Sequence, residues 1–115
     1  MALALNVFKT ITSVVSTQMV GIYTAPVGYT GVVLLAQCAN IGQTTQTISV
    51  SHVRIPRRTG IAVTTEMLQD FPISGNDTAN LLAGKLVLES GDILKISGDN
   101  GTNLKFLGSI LETLN

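Results

Sequence analysis

Charged side chains are scarce in this sequence. They make up 12% of its 115 residues, about half of the share that is usual in globular proteins. Seven lysines and arginines are balanced by seven aspartates and glutamates, so the formal net charge at neutral pH is zero. A neutral chain has no overall field to attract a nucleic acid or an anionic membrane, and we expect neither as a partner. A surface this poor in charge also favours self-association over a free monomer.

Residues that bind metals or perform catalysis are also few. One cysteine, Cys38, and one histidine, His52, cannot supply the four ligands of a zinc site, nor the several histidines of a cupin-like enzyme. His52 lies within a predicted strand, where a structural role is favoured over a catalytic one. Residues 99–103 are rich in oxygen but lack the distal glutamate of a calcium-binding loop, so a tight turn explains them better. We expect no catalytic, cofactor-binding or metal-binding residues, and no enzyme.

Long apolar runs are absent as well. No stretch approaches the roughly 20 apolar residues of a membrane-spanning helix, and the first residues lack the basic segment of a signal peptide. We therefore expect synthesis and folding in a cytoplasm. The length suits one hydrophobic core. It predicts a single domain spanning residues 1–115, with residues 1–6 as a candidate N-terminal arm.

The chain does contain many short segments in which apolar and polar residues alternate, often rich in β-branched side chains. This pattern is typical of strands with one buried face. Eight strands are predicted, at residues 7–16, 21–24, 31–39, 48–54, 61–65, 85–89, 94–97 and 103–113. Residues 66–73 are read as strand or irregular link, residues 74–80 as loop, and the last three strands as a β-meander. The sequence thus predicts an all-β, single-domain antiparallel β-sandwich or jelly roll of about eight short strands.

The last predicted strand is apolar on both faces. Leu104, Phe106 and Ile110 share one face, and Leu107 and Leu111 share the other. One face can cover the core, but the second then needs another covering surface, which a domain this small obtains most readily from another subunit. We predict that Leu107 and Leu111 lie in a protein–protein interface.

Three of the seven cations lie close together around Pro56. Arg54, Arg57 and Arg58 fall within five residues of one another. Because an arginine side chain can bind a carboxylate through two parallel hydrogen bonds, this segment is a candidate for docking on an acidic patch of a neighbouring protein. The alternative is a solvated loop that improves solubility.

Three segments of the chain resemble small virion proteins of tailed bacteriophages, especially those of cyanobacterial phages. They are residues 22–34 (IYTAPVGYTGVVL), residues 76–92 (NDTANLLAGKLVLESGD) and residues 104–112 (LKFLGSILE). The resemblance covers most of the chain from about residue 22 onward. It implies a non-enzymatic component of the virion, either a capsid decoration (cement) protein or a tail or baseplate component.

These expectations define one leading hypothesis and one rival. The leading hypothesis is a capsid decoration protein that forms a homotrimer with copies of itself and binds the major capsid or other virion proteins, in a virion assembled in the host cytoplasm. The rival is a receptor-binding or carbohydrate-binding sandwich of a tail fibre. Sugar sites usually present aromatic rings, and this chain offers only Tyr23 and Tyr29 near one turn, with no tryptophan.

Overall fold

The computed structural model describes residues 6–56 and 58–115, in which there are nine β-strands and no helix. The described chain therefore has no helix that is long and apolar enough to span a membrane. The strands are β1 Asn6–Val14, β2 Val20–Thr24, β3 Tyr29–Asn40, β4 Gln46–Arg54, β5 Val63–Ile73, β6 Asp77–Asn80, β7 Leu86–Leu88, β8 Ile93–Gly98 and β9 Leu104–Leu114. The prediction of an all-β fold is confirmed.

The strands form two antiparallel sheets that pack as a sandwich. Sheet 1 has the order β1-β9-β3-β6, and β7 also pairs with β3; sheet 2 has the order β2-β8-β4-β5. β6 pairs with residues 37–40 of β3 and β7 with residues 31–33, so these two short strands share one position beside β3. The sandwich then has four strand positions in each sheet, and its first strand pairs with its last, which is the jelly-roll order.

The hydrophobic core lies between the sheets and follows the alternation in the sequence. In β9, Leu104, Phe106 and Ile110 are buried, as the pattern predicted, and Leu94 and Ile96 of β8 face them from sheet 2. β3, which is apolar on both faces, lies inside sheet 1 between β9 and the β6/β7 position.

The predicted β-meander at the C-terminal end is wrong. The three strands are present, but β7 pairs with β3 in sheet 1, β8 pairs with β2 and β4 in sheet 2, and β9 returns to sheet 1. Both connections therefore cross from one sheet to the other. Alternation identifies each strand and each turn, but a turn's residues do not determine whether the next strand pairs beside the last one or crosses the core.

The structure corrects the prediction for one segment in the middle of the chain and decides between the two alternatives for another. Residues 74–80 were expected to be loop throughout, but Asp77–Asn80 form β6, a strand whose mostly exposed side chains conceal it in the sequence. Residues 66–73 continue the preceding strand, so β5 runs unbroken to Ile73 with bulges opposite β4. Pro72 is tolerated in β5 because this is an edge strand.

The candidate N-terminal arm lies largely outside the described residues. Asn6 is the first residue of β1 and pairs with Thr113, while residues 1–5 are not described. The arm and the single-domain boundary at residues 1–115 stay predictions.

Candidate assembly surface

The outer face of sheet 1 carries a row of large apolar side chains. Phe8 pairs with Leu111, Leu111 with Val32, and Val32 with Val87, so one row crosses β1, β9, β3 and β7. Phe8 is 75% exposed and Val87 is 53% exposed, while the two central residues are half-buried by their neighbours. Monomeric proteins rarely expose a contiguous apolar patch of this kind, and such patches mark sites of interaction.

The rest of this outer face is almost free of charge. The row that contains Leu107 places Thr12 on one side and Gln37 on the other, beside a depression of about 530 Å³. Lys105 is the one ionisable residue among the described outward-facing positions of β1, β9 and β3. Burial of this surface would therefore cost little in charge desolvation.

The size of the outer face matches the requirement of a stable contact. Four strand positions about 4.8 Å apart and strands of up to twelve residues at about 3.3 Å per residue give at most about 760 Å². A standard protein–protein interface buries about 800 Å² on each partner. We call this surface, formed by the outward-facing residues of β1, β9, β3 and β7, the sheet 1 outer face.

The structure separates the four described residues among the five that the sequence nominated for an interface. Leu107 and Leu111 both lie on the sheet 1 outer face. Arg54 ends β4 in sheet 2, and Arg58 is exposed in the connection between β4 and β5. Arg57 lies outside the described residues. Leu107 and Leu111 therefore do not form one site with Arg54 and Arg58, and the role of all five residues in protein contacts stays a prediction.

Arg54 binds carboxylates of its own chain. Its Nε donates to Asp92 Oδ1 at 3.1 Å and its terminal nitrogen donates to Asp92 Oδ2 at 2.8 Å. The same terminal nitrogen lies 2.9 Å from the Glu89 carboxylate. This two-pronged contact holds Arg54 against the turn between β7 and β8.

Asp92 is the centre of a buried polar cluster that the sequence analysis missed. It is 2% exposed and also accepts hydrogen bonds from His52 Nε2 at 3.0 Å and from the backbone N–H of Glu89 at 3.0 Å. Burial by itself would raise the pKa of Asp92, but hydrogen bonds from Arg54, His52 and Glu89 outweigh it and lower the pKa below its usual value. His52 thus has a structural partner, because this cluster ties β4 to the turn where the chain crosses between sheets.

A second buried cluster joins the two sheets near the same end of the sandwich. The Tyr23 hydroxyl of β2 donates to Glu112 Oε2 of β9 at 2.6 Å, and Lys9 Nζ lies 3.1 Å from Glu112 Oε1. Burial and the hydrogen bond to Glu112 raise the pKa of Tyr23. The signal for Glu112 was present in the sequence, since alternation in β9 places it on the same inward face as Ile110.

The glycine at position 31 makes room for the Tyr23 ring. A Cβ at this position would lie 2.8 Å from Tyr23 Oη and 3.0 Å from its Cε2. We expect Gly31→Ala to lower the free energy of unfolding by about 2 kcal/mol, because the ring must move and lose its bond to Glu112. Denaturant unfolding measures the change, and Gly84→Ala is the matched control, since a Cβ there meets nothing within 4 Å. Equal stability of the two variants would contradict this account.

Tyr23 and Cys38, two residues considered in the sequence analysis, are both buried. Tyr23 is buried against Glu112, so of the two tyrosines considered for a sugar site its ring is not available for stacking. Cys38 is fully buried, and burial raises the pKa of its thiol to about 11, which keeps it protonated. Over residues 6–56 and 58–115, no group of three His, Cys, Asp or Glu side chains is placed to hold a metal ion.

Comparison with known proteins finds similarity in fold alone. No model of a known protein family matches the sequence, and no characterised protein is detectably similar to it in sequence. Among solved structures, a chain of the acid-stable capsid of Helicobacter pylori bacteriophage KHP30 aligns with a TM-score of 0.52 and 12% identity, over 96% of this chain and 89% of that chain.

Two further structures align with the chain over most of its length. A chain of the T13 particle of infectious bursal disease virus aligns with a TM-score of 0.54 and 12% identity; it covers 97% of this chain, which spans 32% of that longer chain. A chain from the disulfide-linked pili of Bacillus endospore appendages aligns with a TM-score of 0.49 and 15% identity, over 96% of this chain and 88% of that chain. At these identities, what the chain shares with the phage and virus chains is the architecture of a β-sandwich.

Proposed function

We propose that the protein is a non-enzymatic structural component of a virus particle, most specifically a capsid decoration (cement) protein of a tailed bacteriophage. The observation that carries this proposal is the sheet 1 outer face, an apolar and nearly uncharged surface of interface size. When another protein covers an apolar face of this kind, the free energy of the system falls. Repetition of the contact over many copies on a shell then gives firm attachment by avidity.

The fold comparison supports a capsid role over a tail or fibre role. The phage KHP30 chain aligns over nearly its whole length, so a β-sandwich chain of similar size occurs in a phage capsid structure. The rival reading, a carbohydrate-binding fibre domain, is weakened because Tyr23 is buried. In the proposed function, the chain folds in the host cytoplasm, forms a homotrimer and binds the major capsid or another virion protein through the sheet 1 outer face.

The outer face is tested by a charge placed at the centre of the apolar row. Leu111→Lys is expected to weaken binding to empty phage heads that lack this protein by about 30-fold or more, which is the effect of losing an interface hot spot of about 2 kcal/mol. Binding is measured by co-sedimentation of the purified protein with the heads, together with the resistance of the heads to heat.

The matched control is Val27→Lys, because Val27 is 84% exposed and lies in the turn between β2 and β3, away from the row. It is expected to bind and protect the heads as the original protein does. Full binding by Leu111→Lys, or no binding by the original protein, would overturn the proposal.

A further inference from the structure

The connection between β4 and β5 projects from sheet 2 as an exposed arm. We define the β4–β5 arm as residues 55–56 and 58–66. Every described residue from position 58 to position 66 is exposed, and Ile61 is 69% exposed. Its tip is closed by a hydrogen bond from the Gly60 N–H to the Pro56 carbonyl at 2.8 Å.

The arm combines apolar side chains with positive charge. Ile55, Ile61 and Val63 are all exposed large hydrophobic residues. Arg58 is exposed beside them, and no ion pair joins it to another described residue. An exposed two-stranded hairpin gains little stability by itself, so these side chains are suited to packing against a surface that offers both apolar contact and carboxylates.

Such a surface exists at the opposite end of sheet 2. A cavity of about 310 Å³ is lined by residues that include Met19, Asp70 and Asp99, and we call it the Asp70–Asp99 pocket. Met19 is 42% exposed and supplies apolar contact. Neither carboxylate forms an ion pair with a described cation.

The backbone of the pocket is fixed by the bulges of β5. Asp70 has a positive φ of 51°, which is uncommon for a residue other than glycine, and its N–H donates to Ser49 Oγ at 3.0 Å. The N–H of Asp99 donates to the Thr47 carbonyl at 3.2 Å. The two aspartates are therefore positioned by the start of β4.

The arm of one molecule cannot enter the pocket of the same molecule. The arm follows Arg54, the last residue of β4, whereas Thr47 and Ser49 of the pocket lie near its first residue. The seven residue-to-residue steps from Thr47 to Arg54 span roughly 23 Å along the strand. The two complementary surfaces point to the two ends of sheet 2, as a head-to-tail contact requires.

We propose that the β4–β5 arm of one copy docks in the Asp70–Asp99 pocket of the next copy, with Arg58 facing the two carboxylates and Ile61 packing beside Met19. A contact between two different surfaces of the same chain closes as a ring when its rotation permits, and it extends as a filament otherwise. The arm–pocket contact forms the ring of the homotrimer in the proposed function. It does not use the sheet 1 outer face, which stays free for the capsid.

Two variants, each with one surface damaged, test this contact. Arg58→Glu with Ile61→Glu disables the arm, and Asp70→Asn with Asp99→Lys disables the pocket; asparagine tolerates the positive φ at position 70. Sedimentation velocity is expected to show a closed oligomer for the original protein and a monomer for each variant. A one-to-one mixture of the variants is expected to form a dimer and nothing larger, because it contains one intact arm and one intact pocket.

The mixture gives the decisive result. A contact between identical surfaces would not be restored by mixing, so a monomeric mixture overturns the inference, as does a monomeric original protein or a single variant that keeps the original mass. Val27→Glu is the control and is expected to keep that mass. Leu111→Lys is also expected to keep it, so loss of ring formation and loss of head binding are separate results, and the failure of one proposal is distinguished from the failure of the other.

Discussion

Asp92→Ala is expected to lower the free energy of unfolding by about 3 kcal/mol, the lower end of the cost of breaking a buried ion pair. The substitution removes the acceptor for Arg54, His52 and the Glu89 N–H at once. Because the Arg54 side chain is partly exposed, water can solvate its guanidinium once Asp92 is removed, and this keeps the loss of stability at the lower end of the range. The change corresponds to a decrease of roughly 12 °C in Tm for a domain of this size, and it is measured by denaturant unfolding and calorimetry.

The control for Asp92 is the exposed member of the same cluster. The Glu89 side chain is 68% exposed, so Glu89→Gln is expected to cost less than about 1 kcal/mol although it removes a contact to the same guanidinium. If Glu89→Gln destabilised the protein as much as Asp92→Ala, the buried carboxylate would not be the organising group.

The lowered pKa of Asp92 also predicts the direction of a pH effect. The unfolded chain takes up a proton at this carboxyl near pH 3.9, the ordinary aspartate value, while the folded protein does so at a lower pH. The stabilisation from Asp92 is therefore complete above the unfolded pKa and is lost as pH falls through the folded pKa. Asp92→Asn is expected to reduce the acid sensitivity of unfolding below about pH 4, and an unchanged pH profile would contradict this assignment.

Glu112→Ala is expected to cost about 3 kcal/mol, through the cavity that it leaves and the buried Tyr23 hydroxyl that loses its acceptor. Glu112 is 3% exposed and joins β9 to Tyr23 of β2 across the sandwich. The loss is measured by denaturant unfolding, with the secondary structure of the variant checked by circular dichroism.

Two partner substitutions separate the contributions at Glu112. Lys9→Met removes an ion pair whose lysine is 45% exposed and is expected to cost less than about 1 kcal/mol. Tyr23→Phe removes the hydrogen bond to a charged acceptor and is expected to cost about 2 kcal/mol. A larger loss from Lys9→Met than from Tyr23→Phe would contradict the view that the bridge between sheets is the important contact.

The two buried clusters explain how a sandwich with little charge presents its surfaces in a fixed geometry. Asp92 holds the crossing from β7 to β8 against β4, and Glu112 connects the sheets across the core. The Asp92 cluster lies at the end of the sandwich from which the β4–β5 arm projects, because Arg54 belongs to it and precedes the arm. Tyr23 of the Glu112 cluster pairs with Leu94, which also pairs with His52 of the Asp92 cluster. The base of the arm is thereby anchored.

Some parts of the structure were accessible from sequence because they depend on neighbouring residues alone. Alternation with a period of two identified β1, β8 and β9 and the inward face of β9, since each side chain's own polarity determines which face it occupies. The same alternation places Leu107 and Leu111 on the outward face. By contrast, β6 was not predicted, because a strand at an exposed edge position does not require apolar residues.

The sequence by itself determined the class of the fold, most of the strands, the buried face of the last strand and the outward position of Leu107 and Leu111. The tertiary structure alone decided which strands pair, and so replaced the expected meander with the jelly-roll order. It also decided that Phe8, Leu111, Val32 and Val87 form one row and that Arg54 binds Asp92. Polarity and turn residues act locally, whereas pairing and clustering depend on register between strands that lie far apart in the chain.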